Sequence, residues 1–66
     1  MRIQKGQRHP FVGEARRKLQ VPVPAGPAAY TLDDDVEKAL RDFQETQGLP
    51  VTGEIDDATL AALRPS

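Results

Sequence analysis

Residues 36–63, VEKALRDFQETQGLPVTGEIDDATLAAL, decide how this chain is read. Val36, Ala39, Leu40 and Phe43 recur at i, i+3, i+4 and i+7, which is the apolar face of an amphipathic helix of about three turns. Just upstream, Asp33 is a natural N-cap, because its carboxylate can accept from the exposed first-turn N–H groups, and Asp34, Asp35 and Glu37 complement the positive end of the helix dipole. The pattern predicts a helix near 34–47. Gly48 suits the left-handed position just past a helix end, Leu49 supplies the apolar contact that accompanies such a cap, and Pro50 prevents resumption. Thr52 and Gly53 make a turn and Ile55 points inward. Asp56 then caps a short helix near 57–63 that carries Thr59, Leu60 and Leu63 and is ended by Pro65.

The second of these helix starts repeats the first. Leu32, Asp33 and Asp34 are echoed by Ile55, Asp56 and Asp57, and at the same offset Val36 falls on Thr59, Ala39 on Ala62 and Leu40 on Leu63. Both copies spell an apolar plug, an acidic cap and a helix. A solenoid needs at least three such units, so two copies predict a compact pair of helices entering one core, with Leu32 and Ile55 as equivalent buried anchors.

Toward the N-terminus, residues 1–9 read as an extended lead-in, with Ile3 as its anchor and Gly6 able to supply a turn. Val12, Ala15 and Leu19 lie on one helical stripe, and Pro10 suits a first turn where its missing N–H has no partner anyway, so a helix is expected near 10–19. Residues 20–31 hold Pro22, Pro24, Gly26 and Pro27, a density that argues against helix and central strand alike. This is read as a proline-rich loop that lays Val21 and Val23 over the core. The expected fold is all-α: one domain, 1–66, with three helices around Val12, Leu19, Leu32, Val36, Leu40, Phe43, Ile55 and Leu63.

Composition narrows the function classes. In 66 residues a domain buries only about 60% of the surface its unfolded chain exposes, so nearly every large apolar residue is needed in the core. The formal net charge of −1 gives no general attraction to nucleic acid or anionic lipid, and Arg8, Arg16, Arg17 and Lys18 read as a solvated helix face. No run approaches the roughly 20 apolar residues that span a bilayer, and the first ten residues lack the apolar middle of a signal peptide. There is no cysteine, hence no disulfide, thiolate metal site or cysteine nucleophile. His9 is the single histidine and reads as a surface residue beside Pro10. Asp33, Asp34 and Asp35 lack the alternating oxygen ligands and terminal Glu of a calcium loop. Asp33 and Asp56 are explained as caps rather than as a hydrolytic carboxylate pair. No catalytic residue, metal or cofactor is expected.

The same stretch carries a resemblance. Ala39, Leu40, Phe43 and Gln44, followed by Gly48, Leu49, Gly53, Ile55, Asp56, Thr59 and Leu63, resemble the second half of the peptidoglycan-binding domain family in residue type and spacing. Gly6, Val12, Ala15 and Leu19 match its first half more loosely, with Ala15 and Arg16 standing where the family has Leu-Gln and Ala29 and Tyr30 where it has Asp-Gly. The stretch GLPVTGEIDDATL is also similar to the prodomain of matrix metalloproteinases, where a cysteine after the third helix inhibits the protease. A chain without cysteine cannot use that device.

The resemblance implies a three-helix domain and a non-catalytic module that binds bacterial peptidoglycan and brings a linked or partner cell-wall hydrolase, or a particle, to the wall. Its alternative is a small structural or adaptor protein, for example a phage virion or envelope-assembly component, that uses the fold for protein contacts. Neither nucleic acid nor membrane is an expected partner. Action is expected at the bacterial wall or within a phage particle. The ligand-contact candidates are Arg16, Tyr30, Arg41 and Gln44. Arginines suit stem-peptide carboxylates through their forked geometry. Gln44 could serve a ligand or a neighbouring backbone group, and Tyr30 could fill the core edge or offer its ring and hydroxyl to a glycan or peptide.

Overall fold

The computed structural model describes residues 2–64. Three α-helices form, α1 at Pro10–Lys18, α2 at Asp34–Gln47 and α3 at Asp57–Leu63, with no strand longer than an isolated bridge among the described residues. Pro65, expected to end α3, lies outside those residues.

Both acidic caps form. Asp33 Oδ1 accepts from the Val36 N–H at 3.1 Å, and Asp56 Oδ1 accepts from the Thr59 N–H at 2.8 Å, each satisfying a donor that the helix cannot use internally. The plugs before them, Leu32 and Ile55, are completely buried, as are Val36 and Thr59 one turn on. The echo is therefore physical: each copy sinks an anchor and starts a helix beside it. Ile3, Val12, Ala15, Val21, Leu40 and Leu63 complete the core, with Leu19 and Phe43 half-buried at its edge.

The lead-in joins the two copies. Ile3 is buried and exchanges both backbone hydrogen bonds with Ile55 at 2.9 Å, and after a turn at Lys5 and Gly6 the Leu32 N–H donates to the Gln7 carbonyl at 2.9 Å. Arg8 bridges Thr31, and the His9 N–H donates to the Tyr30 carbonyl at 2.9 Å. One short extended segment thus fixes both plugs and the start of α1.

Residues 20–31 differ from the expected loop in one respect. Gly26–Tyr30 is a 3-10 helix with Pro27 in its first turn, where a proline's missing N–H is no loss. Val21 is buried as expected, but Val23 is 51% exposed, because the chain between Pro22 and Pro24 runs along the surface.

A second repetition appears at the helix ends. After α2, Gly48 takes φ 72°, and the Leu49 N–H reaches back to the Gln44 carbonyl at 2.8 Å. After α1, Gln20 takes φ 61°, and the Val21 N–H reaches back to the Arg16 carbonyl at 2.8 Å. Both ends are the same left-handed cap, closed by an apolar residue. Only one has glycine. A side chain in this region costs roughly 1–2 kcal/mol, partly offset by the greater freedom that glycine has in the unfolded chain. Gln20→Gly is expected to stabilise the domain by about 0.5–1 kcal/mol, read as a higher urea midpoint at unchanged slope, while Gly48→Ala shifts the midpoint the other way.

Candidate binding cleft

Of the four residues expected to meet a ligand, two are inside the protein. Arg16 is 1% exposed. Its Nε donates to the Ala29 carbonyl at 3.1 Å, Nη1 to the Pro22 carbonyl at 3.0 Å, and Nη2 to the carbonyls of Ala28 at 3.2 Å and Thr31 at 2.9 Å. The same Nη2 pairs with Asp33 Oδ2 at 2.9 Å. The guanidinium is not part of a solvated face: every donating nitrogen is already turned to the proline-rich segment and Asp33. It caps the carbonyl end of the 3-10 helix and ties that helix to the Asp33 cap of α2.

Gln44 does equivalent work for the second loop. Its Oε1 accepts from the Thr52 and Gly53 N–H groups, both at 2.9 Å, and its Nε2 donates to the Glu54 carbonyl at 2.9 Å and to the hydroxyls of Thr52 and Thr59 at 3.1 and 2.9 Å. With the side chain fully buried, no donor or acceptor remains for a ligand. Of the two roles open to Gln44, the structure gives it the backbone one.

Arg41 and Tyr30 stay at the surface, in different places. Arg41 pairs with Glu37 one turn back on α2 at 3.7 Å and lies across Gly53, where a Cβ would come within 3.0 Å of its Nε. Tyr30, at the end of the 3-10 helix, is 49% exposed and lies against α1 at Gly13. A Cβ on Gly13 would stand 2.9 Å from Tyr30 Cε1, so the ring approaches the helix closely only because that residue is glycine.

Around this ring opens a shallow cavity of about 430 Å³, lined by Arg8, His9, Pro10 and Tyr30. His9 is more than a surface residue: its Nδ1 accepts from the Phe11 N–H at 3.0 Å and so N-caps α1. Sequence reading missed this because histidine is not among the favoured capping residues. It missed the cleft as well, since Tyr30 and residues 8–10 meet only through the backbone pairing of the lead-in with the chain before Leu32. A second depression of about 310 Å³ lies between the end of α1 and α2, with Lys18, Leu19, Asp42 and Phe43 among its lining residues.

The sequence matches the family described as "Putative peptidoglycan binding domain" over residues 8–63. The chain belongs to this family. The match takes in all three helices, both plug-and-cap units and every residue of the Tyr30 cleft. Peptidoglycan binding domains are binding modules, and no catalytic family is indicated. The relation to matrix metalloproteinases also holds: over 31 residues the chain is 52% identical to matrix metalloproteinase-19 of Mus musculus and 55% identical to that of Homo sapiens. Those matches cover 47% of this chain and 6% of each relative. No solved structure matches at comparable significance.

The Arg16 and Asp33 pair is open to two tests. Arg16→Met removes every bond of the guanidinium while filling much of its volume. Asp33 stays partly exposed, but the carbonyls that met the guanidinium lose their donor, at about 1–3 kcal/mol for a buried one, against the roughly 3–10 kcal/mol that a domain of this size has, so the variant is expected to show a clearly lower denaturant midpoint by circular dichroism. Asp33 reports through pH. Burial alone pushes its carboxyl up, but the Arg16 guanidinium and the Val36 N–H outweigh it and hold the group below its ordinary 3.8. A depressed carboxyl favours the folded state fully above the unfolded value and loses that contribution as pH falls through the folded one. Asp33→Asn keeps a capping oxygen and loses the charge. It is expected to be less stable at pH 7, with a flatter decline below about pH 4, in denaturant midpoints measured across that range.

Proposed function

We propose that this domain is a non-catalytic module that binds bacterial peptidoglycan and serves to hold a linked or partner hydrolase, or a particle, at the wall. The observation that carries the proposal is the family match across residues 8–63. The Tyr30 cleft supports it with a suitable surface: an exposed aromatic ring seated on a helix, beside groups that donate hydrogen bonds. Arg41 is retained as a second, separate contact on the α2 face.

A shallow, open site of this kind gains little from each contact, because lost rotational freedom and side-chain ordering offset most of the attraction. On an insoluble polymer, many neighbouring sites allow rebinding and raise the effective concentration. The expected behaviour is weak binding to soluble fragments and clear retention on intact walls.

A reading as a protein-contact domain has one observation in its favour, that the matched curated relatives are metalloproteinases. Co-sedimentation with purified insoluble peptidoglycan, alongside the mass of the protein in solution, separates the two. The domain is expected to pellet with the walls and to release neither soluble sugar nor peptide. Tyr30→Ala, checked for an unchanged fold by circular dichroism, is expected to reduce the pelleted fraction several-fold, as alanine substitution of a stacking aromatic does. Release of soluble fragments would contradict the non-catalytic reading, and absence from the pellet would favour protein contact.

A further inference from the structure

The cleft around Tyr30 has a chemical bias beyond being open and aromatic. Each group that lines it either donates hydrogen bonds or is apolar, and no carboxylate is among them. Arg8 is exposed and, like Arg17, Lys18, Lys38 and Arg64, forms no ion pair among the described residues, and of these it is the one that lines the cleft. His9 is oriented by its capping bond: with Nδ1 accepting from the Phe11 N–H, the neutral ring carries its proton on Nε2, where it can only donate. Pro10 and the ring of Tyr30 provide apolar faces, and Gly13 holds the ring close to α1. At about 430 Å³ the cavity is in the range that accommodates small ligands.

We infer that this cleft binds a carboxylate attached to a sugar–peptide unit, with the carboxylate on the Arg8 guanidinium and His9 Nε2–H and an apolar sugar or peptide face on Tyr30 and Pro10. The inference rests on the peptidoglycan reading and sharpens it: the feature recognised is an acidic stem-peptide end, rather than the uncharged glycan. Arginine is suited to such a group because its two parallel N–H vectors match the two oxygens of a carboxylate. A ring held against the helix has little freedom to lose on contact. Backbone pairing of Arg8 with Thr31 and of His9 with Tyr30 sets the two sides of the cleft relative to each other before any ligand arrives.

The test is a titration of the ¹⁵N-labelled domain, followed by NMR, with N-acetylmuramyl-L-alanyl-D-isoglutamine and with the same compound amidated at its terminal carboxylate. Shifts are expected at residues 8–13 and 29–31, with the amide bound about two- to fivefold more weakly, the range for one exposed charged contact. Arg8→Gln leaves the backbone bridge in place. It is expected to lower affinity for the acid by a similar factor and to leave the amide unchanged. Gly13→Ala displaces the ring without touching Arg8 and is expected to weaken both compounds alike. Equal affinity for acid and amide, no shifts at all, or shifts centred on Lys18, Leu19 and Phe43 would overturn the inference. Sedimentation with whole walls keeps the two claims apart. Pelleting without cleft shifts removes the carboxylate site and leaves the wall-binding reading, whereas carboxylate-selective cleft shifts without pelleting do the reverse.

Discussion

The buried guanidinium of Arg16 is the constraint on which the first half of this domain depends. A charge taken out of water is tolerated only where its hydrogen bonds are replaced and its charge is matched. Here four carbonyls, those of Pro22, Ala28, Ala29 and Thr31, and the carboxylate of Asp33 provide that replacement. The consequence runs in both directions. The segment 22–31 must adopt one path for its carbonyls to converge on the fork, and the fork must stay in place for that segment to have a path. Three prolines stiffen the segment by limiting its unfolded conformations, but stiffness alone would not direct it over α1.

The second half uses the same plan with a smaller tool. Arg16 in α1 and Gln44 in α2 stand at matching positions, each four residues before a left-handed cap, at Gln20 and Gly48, and each is buried against the loop that leads to the next plug. Gln44 has to gather only the tight turn at 52–54, which a single amide spans. Arg16 has to gather the longer, proline-rich segment, and a five-donor fork reaches carbonyls that an amide would leave without partners. Arg16 is thus matched to the loop it serves.

The proposed cleft follows from where these forks leave the surface. By holding the end of the 3-10 helix, Arg16 sets Tyr30 over Gly13, and the lead-in brings Arg8, His9 and Pro10 alongside. The polar groups that sequence patterns flag most readily are consumed by the fold. Of those left facing solvent, Arg41 lies on α2, while Tyr30 belongs to the seam between an extended segment and a short helix, where backbone pairing gives rigidity without covering the side chains.

Much of the architecture was legible in the chain because it is governed by short-range physics. Helix boundaries follow from apolar spacing and from caps within three or four residues, so Asp33, Gly48 and Asp56 could be assigned from their neighbours alone, and the echo of Leu32 in Ile55 identified both anchors. The 3-10 turn was hidden by a proline density that usually marks irregular chain, and the cap on α1 by a residue seldom used for one. Arg16 and Gln44 look in sequence like polar residues at the margin of an apolar stripe. Whether such a group faces water, a ligand or a carbonyl is decided by the path of a loop distant along the chain. The Tyr30 cleft likewise exists only because residues 8–10 pair with residues 30–32. Those placements belong to the tertiary structure, since hydrogen-bond partners supplied by remote backbone leave no periodic trace in the residues that use them.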